Sequence, residues 1–214
     1  KILSKKDLLI FNDTKVVPAI IKGKVNNNKV LITLHTKNQS GCWIAFSKPS
    51  KKISKGDEVF FENALKANVI EKNNAHILLK FDIKEKQLFA FLNKFGELPV
   101  PPYIKNISNR ENDENNYQSI FAKNLGAFAS PTASLHFDGK VMKDLKKNDI
   151  DFVKVTLHVG AGTFLPLKNS VIKKNKLHTE KGLISKASAN KIIQAKNEGK
   201  KLVAVGTTVL RLLE

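Results

Sequence analysis

Residues 185–211, SKASANKIIQAKNEGKKLVAVGTTVLR, decide the architecture of the C-terminal half of this chain. Ser185 offers a hydroxyl for a helix start, the apolar positions continue through Ile192 and Ile193, and Gly199 stops the helix. LVAV at 202–205 is then a strand that runs into the turn VGTTVLR at 205–211. Upstream, Asp138 is an N-cap for a short helix carrying Val141, Met142 and Leu145, and FVKVTLHV at 152–159 is a second strand. Strands and helices alternating in this way predict a parallel α/β layer with right-handed crossovers and a longer excursion between the two strands.

The N-terminal half has a different period. Between Val16 and Phe81 short apolar runs (VLITLH at 30–35, CWIAF at 42–46, DEVFF at 57–61, NVIEK at 68–72, HILLKF at 76–81) are separated by clusters rich in Asn, Gly and Lys. A spacing of roughly 10 residues between turn signals predicts a small antiparallel barrel or sandwich. His35 and His76, inside two of these runs, are assigned to structure. Leu88, Leu92 and Phe95 follow at helical spacing, with Gly96 as the stop. The prolines of ELPVPPYI at 97–104 force an extended link, and the polar residues 105–116 read as loop.

With 214 residues, 42% of them apolar, the chain has room for one large or two modest domains and a sizeable core. A single cysteine, Cys42, excludes an internal disulfide and a cysteine-cluster metal site and fits a reducing compartment. No apolar run approaches the roughly 18 to 20 residues that span a bilayer, and no charged-then-apolar leader opens the chain, so a soluble cytoplasmic protein without a membrane partner is expected. Lys and Arg number 37 against 19 Asp and Glu, and the resulting +18 attracts polyanions, nucleic acid being the natural one. The bland alternative is that abundant Lys, Asn and Ile reflect an AT-rich genome, and only Arg110 and Arg211 supply forked donors, but the charge favours nucleic-acid contact. Aromatic residues are sparse, so a base-stacking platform is not indicated.

In open α/β sheets ligands bind beyond the carboxyl ends of strands. Both strands of the C-terminal half run into small-residue turns there, HVGAGTF at 158–164 and VGTTVLR at 205–211. Gly160, Gly162 and Gly206 allow close approach to the backbone, and Thr207 and Thr208 sit where helix N-terminal amides accept anions or hydroxyls, while Thr163, in the first of these turns, is a candidate only through the resemblance described below. The glycine pattern is one short of a dinucleotide fingerprint, and GxxxxGK[ST] and GxSxG are both missing, which argues against nicotinamide, nucleoside triphosphate and serine hydrolase readings. GAFASPTASLHF at 126–137 leads to the Asp138 helix start, and its small side chains, with Pro131 and Thr132, leave room for a ligand. His136, His158, His178 and Glu180 lie at element ends and form a candidate acid/base cluster. For any one of these histidines taken alone a structural role is the commoner outcome, and without HExxH or close pairing no metal site is expected. Asp13 follows an apolar run and either contacts a ligand or caps a turn.

Six ordered stretches carry a resemblance across nearly the whole chain: LLIFNDTKVVPA, GELPVPPYI, YQSIFAKNLGAFASPTASLHF, VTLHVGAGTFLPL, LHTE and AVGTTVLRLLE. They resemble the S-adenosylmethionine:tRNA ribosyltransferase-isomerase family of queuosine biosynthesis. The resemblance implies an α/β domain interrupted by a β-barrel, with residues 1–17 and 105–214 forming the discontinuous α/β domain and 18–104 the inserted barrel, its helix and its Pro-rich link. It implies transfer of the ribosyl moiety of S-adenosylmethionine to 7-aminomethyl-7-deazaguanine at the tRNA wobble position, giving epoxyqueuosine and releasing adenine and methionine. S-adenosylmethionine is then a substrate and no separate cofactor is expected; the partner is that tRNA, and a monomer is expected. By analogy Tyr117 and Gln118 contact the deazaguanine or its sugar, and Arg211 lies in the same matched motifs as the glycines and threonines that hold S-adenosylmethionine.

The lysine-rich segments KPSKKISK at 48–55 and KNSVIKKNK at 168–176 would meet tRNA phosphates. Members of the family are expected to continue beyond both ends of this sequence. Three positions depart from the family pattern: Asn116 and Lys15 where Arg is usual, and Ser134 where Gly is usual. The rival readings are a catalytically inactive fragment that still binds RNA and another nucleoside-modifying transferase on the same scaffold.

Overall fold

Every residue of β1, Asp7–Asn12 (DLLIFN), is buried. Side chains alternate across a strand, so a strand buried on both faces belongs in the middle of a sheet that is covered on both sides. In the computed structural model, which describes residues 2–74, 76–100, 116–160 and 180–214, it lies there. β1 pairs in parallel with β10 (Asp151–His158) and with β12 (Lys201–Ala204), while β11 (Lys181–Leu183) pairs antiparallel with β10. The strand order is β11-β10-β1-β12.

Leu8 and Ile10 pack with Val153, Val155, Ala195 and Val209, so α3 (Lys186–Asn197) and α4 (Thr207–Leu213) cover that face. Leu9 and Phe11 point the other way, to Phe121, Leu145 and Ile150, where α2 (Gly139–Lys147) lies. Phe11 stacks on Phe121 with centroids 4.1 Å apart and meets Phe137 edge-on at 4.7 Å. The helix starts expected at Asp138 and Ser185 are present: Asp138 accepts from the Val141 N–H at 2.8 Å and Ser185 Oγ from the Ser188 N–H at 3.1 Å. β2 (Thr14–Val16) pairs in parallel with β9 (Asn124–Ala127). The described residues form two compact units, one of residues 2–16, 116–159 and 180–214, the other of residues 17–74, 76–100 and 160.

The second unit is a closed antiparallel barrel. Its strands run β3 (Ile20–Val25), β4 (Asn28–Lys37), β5 (Trp43–Lys48), β8 (Ile77–Phe81), β7 (Lys66–Lys72) and β6 (Glu58–Phe61), and β6 returns to β3. The first of these is not among the runs read from the sequence. Its outward residues are Lys22 and Lys24, and its inward face has Gly23 between Ile21 and Val25, so its hydrophobic signal is weak. That glycine closes the barrel: it lies opposite Phe61, and a Cβ there would come within 2.9 Å of the Phe61 ring.

His35 is buried in β4 with its ring edge-on to Phe46 at 5.8 Å, whereas His76 precedes β8, in a turn that its N–H ties to Asn73 Oδ1. α1 (Glu85–Phe95) buries Leu88 and Leu92, and Trp43 of the barrel meets Phe89 edge-on at 6.0 Å. Among the described residues no helix is long and apolar enough to cross a membrane.

Gly96, the residue at which α1 stops, has no room for a side chain. A Cβ there would overlap the carbonyl oxygens of Pro18 and Leu92, both backbone atoms that cannot swing aside. Gly96→Ala is therefore expected to destabilise the barrel unit by about 1–3 kcal/mol, the usual cost of forcing a methyl into packed backbone, read as a lower denaturant midpoint.

Candidate active site

Because β1, β10 and β12 are parallel, their carboxyl ends lie along one edge of the sheet: Asn12, His158, and the turn that starts after Ala204. The Val205 N–H donates to the Ile10 carbonyl at 2.9 Å, tying that turn to β1. Three consecutive buried polar residues, Asn12, Asp13 and Thr14, leave β1 at this edge. Buried polar groups need internal partners, and each finds them.

Asn12 Oδ1 accepts from the Leu157 N–H at 3.0 Å while its Nδ2 donates to the Leu157 carbonyl at 2.9 Å. The carboxamide thus continues the β1–β10 ladder after the main chain has turned away. Nδ2 also reaches Thr208 Oγ1 at 3.4 Å, and Oδ1 accepts from the Thr14 N–H at 3.1 Å. Asp13 Oδ1 accepts from Thr156 Oγ1 at 2.6 Å and from Asn124 Nδ2 at 3.0 Å, and Asn124 Nδ2 also donates to Thr156 Oγ1 at 2.9 Å. The Asp13 carbonyl accepts from the N–H groups of Lys123 and Asn124.

His158, half-buried at the end of β10, has its Nδ1 2.7 Å from Thr14 Oγ1. Gly126 lies against the ring, where a Cβ would come within 2.8 Å of Nδ1 and Cε1. The strand that supplies this glycine, β9, also supplies Asn124. Burial lowers the imidazole pKa below its ordinary 6.5; the Asp13 carboxylate opposes that shift and Lys181, opposite His158 in the β10–β11 register, adds to it. The ring is consequently neutral at pH 7, able to take a proton.

The 205–211 turn comes against the PTASLH bend. Gly206 has φ +95°, and a Cβ on it would lie 3.0 Å from that of Ala133. Ala129 packs with Leu157 and Val159, and the Phe128 N–H donates to the Val159 carbonyl at 2.8 Å. The 205–211 turn and the PTASLH bend are therefore neighbours, and residues just before the bend pack on the end of β10. Pro131 is buried; Thr132 and His136 are exposed, at the two ends of a single 3-10 turn. Ser134 is fully buried, so this fold accommodates a hydroxymethyl where the family pattern has Gly, and its Oγ has no partner among the described residues. Asn116 and Lys15 are exposed.

Two predicted residues are occupied with each other. Arg211 donates to Glu180 Oε2 at 2.6 Å, and the carboxylate side chain is 11% exposed. Gln118 pairs with backbone: its Oε1 accepts from the Val16 N–H at 3.0 Å and its Nε2 donates to the Val16 carbonyl at 2.9 Å. Tyr117 is buried. Thr207 opens α4 and is exposed, while Thr208 turns in to Asn12. Gly160 follows Val159 directly and falls with the barrel unit. Gly162, Thr163, His178 and the lysine-rich stretch 168–176 lie outside the described residues. Asn12, Thr14, Asn124, Thr156 and Gly126 belong to the site without having been singled out. Their signal was position: Asn12 and Thr14 flank Asp13, and Asn124 and Gly126 lie within one of the stretches that carry the resemblance.

The family model described as "Queuosine biosynthesis protein" matches residues 1–214. An S-adenosylmethionine:tRNA ribosyltransferase-isomerase from Roseobacter denitrificans is 39% identical over 221 residues, covering 99% of this chain and 63% of that protein. One from Rhodospirillum rubrum is 39% identical over 214 residues, covering 100% of this chain and 62% of that protein. The chain spans about 63% of the length of the curated relatives it matches. Among solved structures, an S-adenosylmethionine tRNA ribosyltransferase from Thermotoga maritima is 24% identical, covering 99% of this chain and 55% of that one, with a TM-score of 0.35.

The His158 shift has a stability consequence. Its folded pKa is depressed, so around the unfolded value of 6.5 the unfolded chain binds more protons. That contribution is fully present above pH 6.5 and is lost as pH falls through the lower folded value. Denaturant midpoints measured from pH 8 downwards should fall less steeply for His158→Gln than for the wild type; identical profiles would show that the imidazole is not desolvated.

Proposed function

The chain belongs to the queuosine biosynthesis protein family, and from that membership and the sheet-edge geometry we propose that it carries the S-adenosylmethionine-binding and catalytic region of a tRNA-modifying transferase. The reaction is transfer of the ribosyl moiety of S-adenosylmethionine to 7-aminomethyl-7-deazaguanine at the wobble position of tRNA, giving epoxyqueuosine with release of adenine and methionine. The observation that carries this reading is one half-buried imidazole held by Thr14 and against Gly126 at the carboxyl edge of a parallel sheet.

The chemistry needs a base first. A sulfonium withdraws electrons from the adjacent C5′ and acidifies it; once that proton is taken, adenine leaves, the substrate amine attacks the rearranging sugar, and methionine is expelled last. His158 fits the base's role. The Thr14 hydroxyl has a single proton and two neighbours, His158 Nδ1 at 2.7 Å and the Asn124 carbonyl at 3.5 Å. A carbonyl can only accept, so a Thr14 proton aimed at Asn124 leaves Oγ1 to accept from Nδ1–H and puts the free lone pair on Nε2. Gly126 and Thr14 then hold the ring, and Nε2 takes the C5′ proton.

The absence of a side chain at Gly206, against Ala133, suits a place where a nucleoside approaches the backbone closely. Glu180 is better suited to orienting Arg211 than to moving protons, since the two are paired at 2.6 Å. His136, exposed at the end of the PTASLH bend, is the candidate for a second proton transfer, and His178 is a further one by sequence. Pro131, Thr132, Thr207 and Thr208 are proposed to border the nucleoside, and Gly160, Gly162 and Thr163 are further candidates by sequence. The reading makes S-adenosylmethionine a substrate, with no further cofactor, and makes the protein a cytoplasmic monomer.

Mass spectrometry of a mixture of the protein, S-adenosylmethionine and tRNA bearing the aminomethyl base is the test. Free adenine and the modified nucleoside are expected, with His158→Gln slowing adenine release by about 10²- to 10⁴-fold, the usual contribution of one general base. Wild-type protein that releases no adenine would sink the reading, and an unimpaired His158→Gln would remove the histidine from it.

A further inference from the structure

On the outer face of the barrel, register brings together side chains that lie far apart in sequence. Phe60 of β6 is opposite Lys24 of β3 on one side and Lys66 of β7 on the other, and Lys24 is opposite Lys29 of β4. One pleat further along, Lys22 is opposite Leu31, and Leu31 is opposite Lys48 of β5. Lys22, Lys24, Lys29, Leu31, Lys48 and Phe60 line a groove of about 630 Å³ in which Glu62 is the acidic member. Phe60 is 44% exposed at its centre, with the Lys66 ammonium 4.8 Å from the ring centroid.

Like charges set directly opposite on an antiparallel pair are destabilising, yet Lys24 faces Lys29. Lys22 is paired with Glu97 at 2.6 Å and Lys66 with Glu58 at 3.3 Å. Lys24, Lys29 and Lys48 have no acidic partner among the described residues. The face therefore combines uncompensated cations with an exposed apolar ring, two features that cost stability or solubility unless something anionic and flat covers them.

We propose that this face binds single-stranded RNA, with a base stacked on Phe60 and phosphates met by Lys24, Lys29 and Lys48; the proposal rests on the tRNA substrate proposed above and assigns that substrate a contact on the barrel. Strands about 4.8 Å apart put Phe60 and Lys29 roughly 10 Å from each other, and residues two apart along β3 are separated by about 7 Å, so cations surround the ring at nucleotide scale. A duplex hides the faces of its bases, which makes unpaired nucleotides the fitting ligand. An acidic peptide would satisfy the lysines but gives Phe60 nothing to select.

Fluorescence anisotropy with labelled oligouridine and with tRNA, titrated between about 50 and 200 mM salt, tests this. Phe60→Ala should weaken oligouridine binding roughly 5- to 150-fold, the range for loss of one stacked base, while Phe60→Tyr stays near wild type. Replacing Lys24, Lys29 and Lys48 together with Ala should make the slope of log affinity against log salt shallower by about 2, at about 0.7 per phosphate on a single strand. Variants that bind like a wild type that does bind tRNA would overturn the barrel surface and leave the transferase reading standing. A polyglutamate peptide competing as well as oligouridine would overturn it in favour of a protein partner. A wild type that binds neither RNA would overturn the barrel surface, and adenine release measured on the same preparation would decide separately whether the transferase reading stands.

Discussion

A carboxamide with no access to water must find four hydrogen-bonding partners inside the protein or destabilise it, and Asn12 meets that requirement at the point on which the sheet edge turns. Its amide has the donor and acceptor of a peptide group, so by bonding both main-chain groups of Leu157 it acts as one more residue of the ladder. β10 can then run on to His158 while β1 bends away into Asp13 and Thr14. Gln118 performs the same substitution on Val16. Leaving such a buried group unpaired costs about 1–3 kcal/mol, so these amides fix where the backbones part.

The position of the imidazole follows from that divergence. Thr14 reaches Nδ1 only because Asn12 has redirected the chain, and the ring has space only because Gly126 has no side chain. Asp13, through Thr156 and Asn124, ties the same three strands together one layer away. The polar groups at this edge are thus interlocked, and a change in one alters the orientation of its neighbours before it alters the fold.

Features that depend on neighbours in sequence were the legible ones. The caps at Asp138 and Ser185, the stop at Gly96 and the α/β alternation beside a barrel all follow from local chemistry and periodicity. β1 was visible only as an apolar run, because its central place depends on strands more than 140 residues away. β3 was missed because lysines face out and a glycine faces in. In the site, small-residue turns could be read as a group, but that Glu180 and Arg211 would neutralise each other could not, since nothing in LHTE or VLRLLE states which charge each one meets. The choice of Asp13 over its neighbours had the same cause: what Asn12 and Thr14 do is defined by Leu157 and His158, residues known to be close only after folding. Phe60 on the barrel face escaped for a further reason, namely that composition counts rings and not which of them remain uncovered.

β11 has only three residues, all exposed, with Lys181 first and Gly182 in the middle, the latter lying under Leu212 of α4. Among the described residues it is the outermost strand on its side of the sheet, and it runs against the direction of the others. A parallel sheet ending on β10 would offer the outward main-chain groups of an eight-residue strand to any extended polypeptide that drifted near. The short reversed strand shields part of that length, carries a positive charge at its start, and is held down by a helix, so self-templated fibre growth from this side has little to build on.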